Sequence, residues 1–216
     1  MKQDVLGNIV FNDISEDKKG KFSFGNKGFL TFSFKYMEKI FSMAACHLES
    51  GGDKNAQRIK TLKEILNKDI KVDSDKIHKF KEADFWIILG DFNFRVNLSY
   101  ENAIGLIQDK NYHDLLSMDQ FRLTYEDDQD TFLKDNIDEG TINFGPTYKF
   151  EKNSDSYDYK DNKIRVPSWC DRIFYKKRVG IRNLNYNGVF NLRLSDHRPV
   201  IAALEFLLEK SGENKK

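Results

Sequence analysis

The chain has 216 residues, a length that suits one sizeable domain better than two very small ones. Apolar residues are 39% of it, yet 18 Phe, 9 Tyr and 2 Trp supply enough large side chains for a core, which excludes a disordered chain. With 35 basic against 34 acidic side chains the formal net charge is +1, so no global field holds a polyanion and no nucleic-acid partner is expected.

In chain order, residues 1–24 carry no assignable pattern and stay unassigned. Residues 29–34 (FLTFSF) place Leu30, Phe32 and Phe34 on one strand face, and 40–46 (IFSMAAC) and 85–89 (FWIIL) are apolar runs of strand length bounded by charge. Between the last two, Ala56, Ile59, Leu62, Ile65 and Leu66 recur at helical spacing, giving the order strand, helix, strand. Ser99 suits the N-cap of a second helix carrying Ala103, Leu106 and Ile107, and 111–118 (NYHDLLSM) suggests a short third. Residues 126–139 hold seven acidic side chains against Lys134 and read as a solvated surface segment. The second half is otherwise loop-rich until two strand-like runs, 172–175 (RIFY) and 200–206 (VIAALEF), after which 209–216 should form a flexible tail. The mixture of strands and helices, without an internal repeat, points to a single-domain α/β sandwich.

Cys46 and Cys170 are too few for a disulfide framework or a four-thiolate zinc site, which fits a reducing compartment. No apolar run reaches ~18 residues, and the N-terminus lacks the apolar stretch of a signal peptide, so a soluble, cytoplasmic protein is expected.

Three strand ends finish in polar clusters. Residues 43–48 (MAACHL) end at His47, 85–93 (FWIILGDFN) end at Asp91 and Asn93, and 194–200 (LSDHRPV) set Asp196 and His197 directly before a strand. Carboxylates suit a hard cation and imidazoles suit phosphate oxygens, so strands delivering these groups to one sheet edge would build a site for metal-assisted phosphoester hydrolysis. Asp91 and Asn93 are two apart and share a side of an extended chain, so the carboxylate could activate water while the amide donates to a phosphate oxygen. An Asx turn after a strand is the alternative reading of that segment.

GDFNFR (90–95), PTYKF (146–150), PSWCDRIFY (167–175) and SDHRPV (195–200) occur in this order, behind GNKG (25–28). Together they resemble the inositol polyphosphate 5-phosphatases of the endonuclease/exonuclease/phosphatase superfamily, to which DNase-I-like nucleases also belong. The likeness implies a DNase-I-like two-layer β-sandwich flanked by helices, with residues 25–208 as the C-terminal part of the catalytic domain. It implies magnesium-dependent hydrolysis of the 5-phosphate of phosphoinositides, such as phosphatidylinositol 4,5-bisphosphate, or of soluble inositol polyphosphates. By position it makes Asp91 the residue that activates water, Asn93 a transition-state ligand, His197 a contact to the scissile phosphate and Asp171 the partner that orients His197. His47 would donate to the phosphate, and Asp196 would help hold magnesium. Tyr148, Lys149, Lys163 and Arg165 would hold the phosphate adjacent to the one cleaved. Transient contact with the cytosolic face of membranes follows from a lipid substrate.

The family's first strands, which bring an Asn and a Gln-Glu motif whose Glu is a principal magnesium ligand, have no counterpart in 1–24. The expectation is therefore a sandwich lacking those strands, with weak magnesium binding and little or no turnover. A catalytically dead phosphoinositide-binding module is the alternative of a different class. A DNase-I-like nuclease is disfavoured by PSWCDRIFY and the near-neutral charge.

Overall fold

The computed structural model describes residues 9–19, 27–73, 76–127, 129, 131–159 and 164–208. Its main sheet has six strands, in the order β1 (Ile9–Lys19), β2 (Lys27–Tyr36), β3 (Lys39–His47), β6 (Phe85–Asp91), β8 (Asp171–Lys176) and β7 (Ile137–Glu139). Only the β3–β6 pair is parallel, and a parallel pair needs a crossover. Here the crossover is α1 (Asn55–Leu66) followed by the hairpin of β4 (Asp69–Asp73) and β5 (Lys76–Lys79).

One face of the sheet is covered by α1. Phe29, Ala44, Cys46, Trp86 and Ile88 pack there against Leu62, Ile65, Leu66 and the rings of Phe80, Phe92, Phe94 and Phe121, all buried. On the other face a second layer is formed by β9 (Ile181–Gly188) paired with β10 (Val200–Phe206). Phe206 sets its ring against Phe41 and Phe85, at centroid distances of 5.7 and 5.1 Å. Tyr186, Val200 and Ala202 close over Phe144, Trp169 and Ile173. Helices α2 (Tyr100–Gln108), α3 (Tyr112–Ser117) and α4 (Gln120–Glu126) begin on the side-chain caps Ser99, Asn111 and Asp119. No helix among the described residues is long and apolar enough to cross a membrane, and both cysteines are free and buried.

Four expectations need correction. Part of the unassigned 1–24 forms β1, which pairs with β2 over its whole length; as an edge strand it needs little apolar character, so its polar sequence hid it. In β2 the buried residues are Phe29, Thr31 and Ser33, while Leu30 is 43% exposed. The inward hydroxyls are tolerated because they pair, Ser33 with Ser42 at 2.9 Å and Thr31 with Ser15 at 2.8 Å. On α1 the fully buried residue at the N-terminal end is Arg58, while Ile59 packs half-buried against the core and Ala56 is exposed. The buried guanidinium donates to the carbonyls of Glu49 and Gly51, at 2.9 and 2.7 Å, and to Gln120 Oε1 at 2.5 Å. Finally, the acidic segment 126–139 is not simply solvated. It contains α5 (Phe132–Asn136) and β7, buries Leu133 and Ile137, and sends Glu139 to the buried Arg172. The tail 209–216 and the start of GNKG lie outside the described residues.

Candidate active site

Three neighbouring strands end in one row. His47 of β3 lies beside Asp91 of β6, and Asp91 lies opposite Asp171 of β8. The row closes tightly because Gly90, at φ +139°, has no side chain; a Cβ there would lie 2.0 Å from the Cys46 carbonyl oxygen.

Past β6 the chain alternates, burying Phe92 and Phe94 and turning Asp91, Asn93 and Arg95 to the other side. Asn93 adopts a left-handed backbone, φ +58°, which Asn tolerates well. Its N–H donates to Asp91 Oδ1 at 2.9 Å, and its amide nitrogen donates to Asp91 Oδ2 at 3.1 Å and to the Leu48 carbonyl at 3.0 Å. The Asx turn weighed as the alternative is therefore present, and it is what fixes the Asp91 carboxylate. The Arg95 guanidinium in turn donates to Asn93 Oδ1 and lies over the Tyr148 ring, 4.7 Å from its centroid.

The second wall comes from residues 146–150, an extended segment that bridges to Ser168 on one side and His197 on the other. Arg198 N–H donates to the Thr147 carbonyl at 2.8 Å, and Phe150 N–H donates to the Asp196 carbonyl at 2.9 Å. The buried Arg198 guanidinium lies 3.9 Å over the Phe150 ring and donates to the Ser195 carbonyl at 2.8 Å, so the turn before β10 is clamped. These bonds set the imidazole: His197 Nδ1 donates to Asp171 Oδ2 at 2.9 Å, and Thr147 Oγ1 donates to the same oxygen at 2.8 Å. With Nδ1 engaged, Nε2 is left for a substrate.

Charges follow from this packing. Burial raises the Asp91 carboxyl from its ordinary value, and the neighbouring Asp171 charge raises it further against the pull of His197 and His47. Burial pulls His197 down, but its hydrogen bond to Asp171 and the charges of Asp171 and Asp91 outweigh that and raise it. His47, 3.3 Å from Asp91 Oδ2, is lowered by burial and by the Lys27 ammonium.

The structure thus joins His47, Asp91, Asn93, Asp171 and His197 in one connected cluster. Asp196 sits beside it in the chain, its carboxylate accepting from Ser195 Oγ at 3.3 Å. Tyr148 sets its ring against that of His197, centroids 4.4 Å apart and tilted by 37°, and Lys149 pairs with Asp158 at 2.7 Å. Arg165 lines a cavity of about 230 Å³ together with Arg95, Val96, Gln120 and the Gly51–Gly52 turn. Lys163 lies outside the described residues. Sequence reasoning missed Thr147, Arg95 and Lys27. Arg95 continues the alternation of Asp91 and Asn93 and was within reach of the period-2 argument, whereas the contact of Thr147 with Asp171 spans 24 residues and has no local signal.

Among the described residues no group of three or more His, Cys, Asp or Glu side chains is set to hold a metal ion. A hard divalent cation takes about six or more oxygen donors, protein and water together, so the donors described here do not by themselves make its site.

An α/β sandwich with catalytic-type side chains at the strand ends is the DNase-I-like architecture. The model of endonuclease/exonuclease/phosphatase family 2 matches residues 2–203, and the chain belongs to that family. It is 35% identical over 205 residues to type I inositol polyphosphate 5-phosphatase 4 of Arabidopsis thaliana, covering 88% of this chain and 36% of that protein. It is 32% identical over 208 residues to synaptojanin-2 of Rattus norvegicus, covering 84% of this chain but 13% of that protein. The chain therefore spans well under half of these relatives. Among solved structures, the inositol polyphosphate 5-phosphatase domain of SPsynaptojanin, in complex with inositol (1,4)-bisphosphate and calcium ion, superposes with a TM-score of 0.78 at 30% identity. That match covers 94% of this chain and 56% of the domain. The Cimex nitrophorin ferrous NO complex superposes with a TM-score of 0.69 at 27% identity, covering 91% of this chain and 65% of that one. One fold thus carries different chemistries, and the site has to decide between them.

Proposed function

We propose that this chain carries the hydrolytic centre of an inositol polyphosphate 5-phosphatase. The observation that bears the most weight is the row His47, Asp91, Asp171 with His197 held by Asp171 at 2.9 Å. Asp91, fixed by two donations from Asn93, takes a proton from the attacking water. A carboxyl raised by burial is a better base near neutral pH than an ordinary one. His197, whose proton affinity Asp171 raises, presents Nε2–H to a phosphate oxygen when protonated and offsets the charge that builds there. Asn93 shapes the base rather than standing free, since its amide nitrogen is already shared between Asp91 and Leu48.

The substrate class is an inositol ring bearing adjacent phosphates, lipid-borne or soluble, supported by the names of the relatives and by the inositol bisphosphate in the SPsynaptojanin domain. Tyr148, Lys149, Lys163 and Arg165 hold the neighbouring phosphate, with Lys149 exchanging Asp158 for it. A divalent ion accompanies the reaction, as the calcium of that domain suggests. Magnesium is the ion the family resemblance implies, with Asp196 among its supports. The protein works in the cytoplasm and at the cytosolic face of membranes. Leu192 and Leu194, 50% and 86% exposed just before Asp196, suit a headgroup boundary.

The test is phosphate release from inositol 1,4,5-trisphosphate with the position of cleavage read by NMR. Loss of the 5-phosphate, abolished by Asp91→Asn, is the expected result. Loss of another phosphate, or activity unchanged by the substitution, would refute the reading.

A further inference from the structure

Lys27, the third residue of GNKG, has no role in the chemistry above. It opens β2, where its neighbour Gly28 lies opposite His47. Its ammonium contacts His47 Nε2, the nitrogen that is 3.3 Å from Asp91 Oδ2. An ammonium has no acceptor capacity, so it donates to Nε2, and the His47 ring in this arrangement is neutral with its proton on Nδ1. Among the described residues no carboxylate lies within ion-pair distance of Lys27; Asp91 and Glu49 act on it only from farther away. Partial burial lowers its proton affinity. A cavity of about 340 Å³ opens beside it, lined by Lys27, Gly28 and His47 and, on the β1 side, by Glu16, Asp17 and Lys18. The arrangement is a partly desolvated cation at the end of the catalytic row, held by an imidazole instead of an anion.

We propose that Lys27 is a phosphate-binding residue of this site, its ammonium leaving His47 Nε2 to donate to a non-bridging oxygen of the scissile phosphate. This rests on the hydrolytic reading of the site and names a ligand that reading lacked. The exchange is favourable because a phosphate oxygen is a stronger acceptor for an ammonium than a neutral imidazole. It also frees His47 Nε2 to take a proton and donate to the same phosphate. Two cationic donors, Lys27 and His197, then approach the phosphate from the two ends of the row, while Asp91 between them faces the water.

Inorganic phosphate is the probe, titrated into the 216-residue chain and followed by calorimetry and by the His47 ring resonances. Lys27→Met should weaken phosphate binding by about tenfold, the factor expected for one charge-assisted hydrogen bond, and Lys27→Arg should stay within about threefold. Circular dichroism checks that both variants fold, and the Arg variant keeps the test open if the Met variant does not. Phosphate binding by Lys27→Met within twofold of the wild type, or no phosphate binding by the wild type, overturns the proposal. Binding that depends on Lys27, without release of phosphate from inositol 1,4,5-trisphosphate, would instead sink the hydrolytic reading and leave Lys27 as a phosphate ligand. Hydrolysis with kcat/KM unaffected by Lys27→Met would do the reverse.

Discussion

Replacing Asp171 with Asn removes one charge and keeps the shape. His197 and Asp171 have side chains 28% and 21% exposed, so their bond at 2.9 Å is shielded enough to count as more than a surface pair. A hydrogen bond to a charged group contributes about 1.5–3 kcal/mol, and the Asn oxygen would restore a neutral bond of about 0.5–1.5 kcal/mol. The net loss of about 1–2 kcal/mol corresponds to a fall in kcat/KM of about 5- to 30-fold. The pH profile is the sharper readout. Asp171 raises His197, so the alkaline limb, where His197 loses its proton, must move to lower pH. Asp171 also raises Asp91, so the acid limb, where Asp91 gains its proton, must move the same way. The whole bell should shift acidward in kcat/KM measured across pH, with an NMR titration of His197 confirming the direction. An alkaline limb that stays in place would refute the pairing as the source of the His197 charge.

Asp91→Asn should abolish turnover and leave substrate binding within a few-fold. Because burial raises the folded-state pKa of Asp91, the ionised carboxylate costs stability that grows as pH climbs from the unfolded value through the folded one, so thermal scans at neutral pH should show the variant at least as stable as the wild type; a clear drop would contradict this. Arg172→Met should strip the buried Asp119 and Glu139 carboxylates, at 2.6 and 2.5 Å, of their cation and cost about 3–5 kcal/mol in urea unfolding. A cost under about 1 kcal/mol would show the pair to be replaceable. Replacing Lys163 and Arg165 together with Ala should lower kcat/KM strongly on a 4,5-bisphosphate headgroup and much less on a 5-monophosphate, and equal losses would assign the pair a general role.

The apolar runs 40–46 and 85–89 and the periodicity ending at Leu66 were legible because burial on a sheet or helix face forces a pattern onto sequence. So was the cap residue Ser99, whose chemistry is local. The edge strand β1 and the inward Thr31, Ser33 and Arg58 were not, since each is buried or paired by partners distant in the chain. The same distinction holds in the site. Asp91 and Asn93 declare themselves by spacing, and their shared Asx turn explains both readings of the segment. His47, Asp171 and His197 meet only because β3, β6 and β8 are neighbours and the segment 146–150 pins the turn at Ser195. Leu30, Phe32 and Phe34 do share a face of β2, the one on which Phe34 stacks against Phe41 in line with Phe206, but the opposite set, Phe29, Thr31 and Ser33, is the more deeply buried because its hydroxyls pair.

The most direct measurement is single-turnover phosphate release, with the 216-residue chain in excess over inositol 1,4,5-trisphosphate at millimolar magnesium, so that even a slow centre is visible. The expected outcome is slow loss of the 5-phosphate alone, bell-shaped in pH, and absent in Asp91→Asn and in His197→Ala. Release that persists in both variants, or no release from the unaltered chain at any pH, would contradict the assignment of this strand-end cluster as a 5-phosphatase centre.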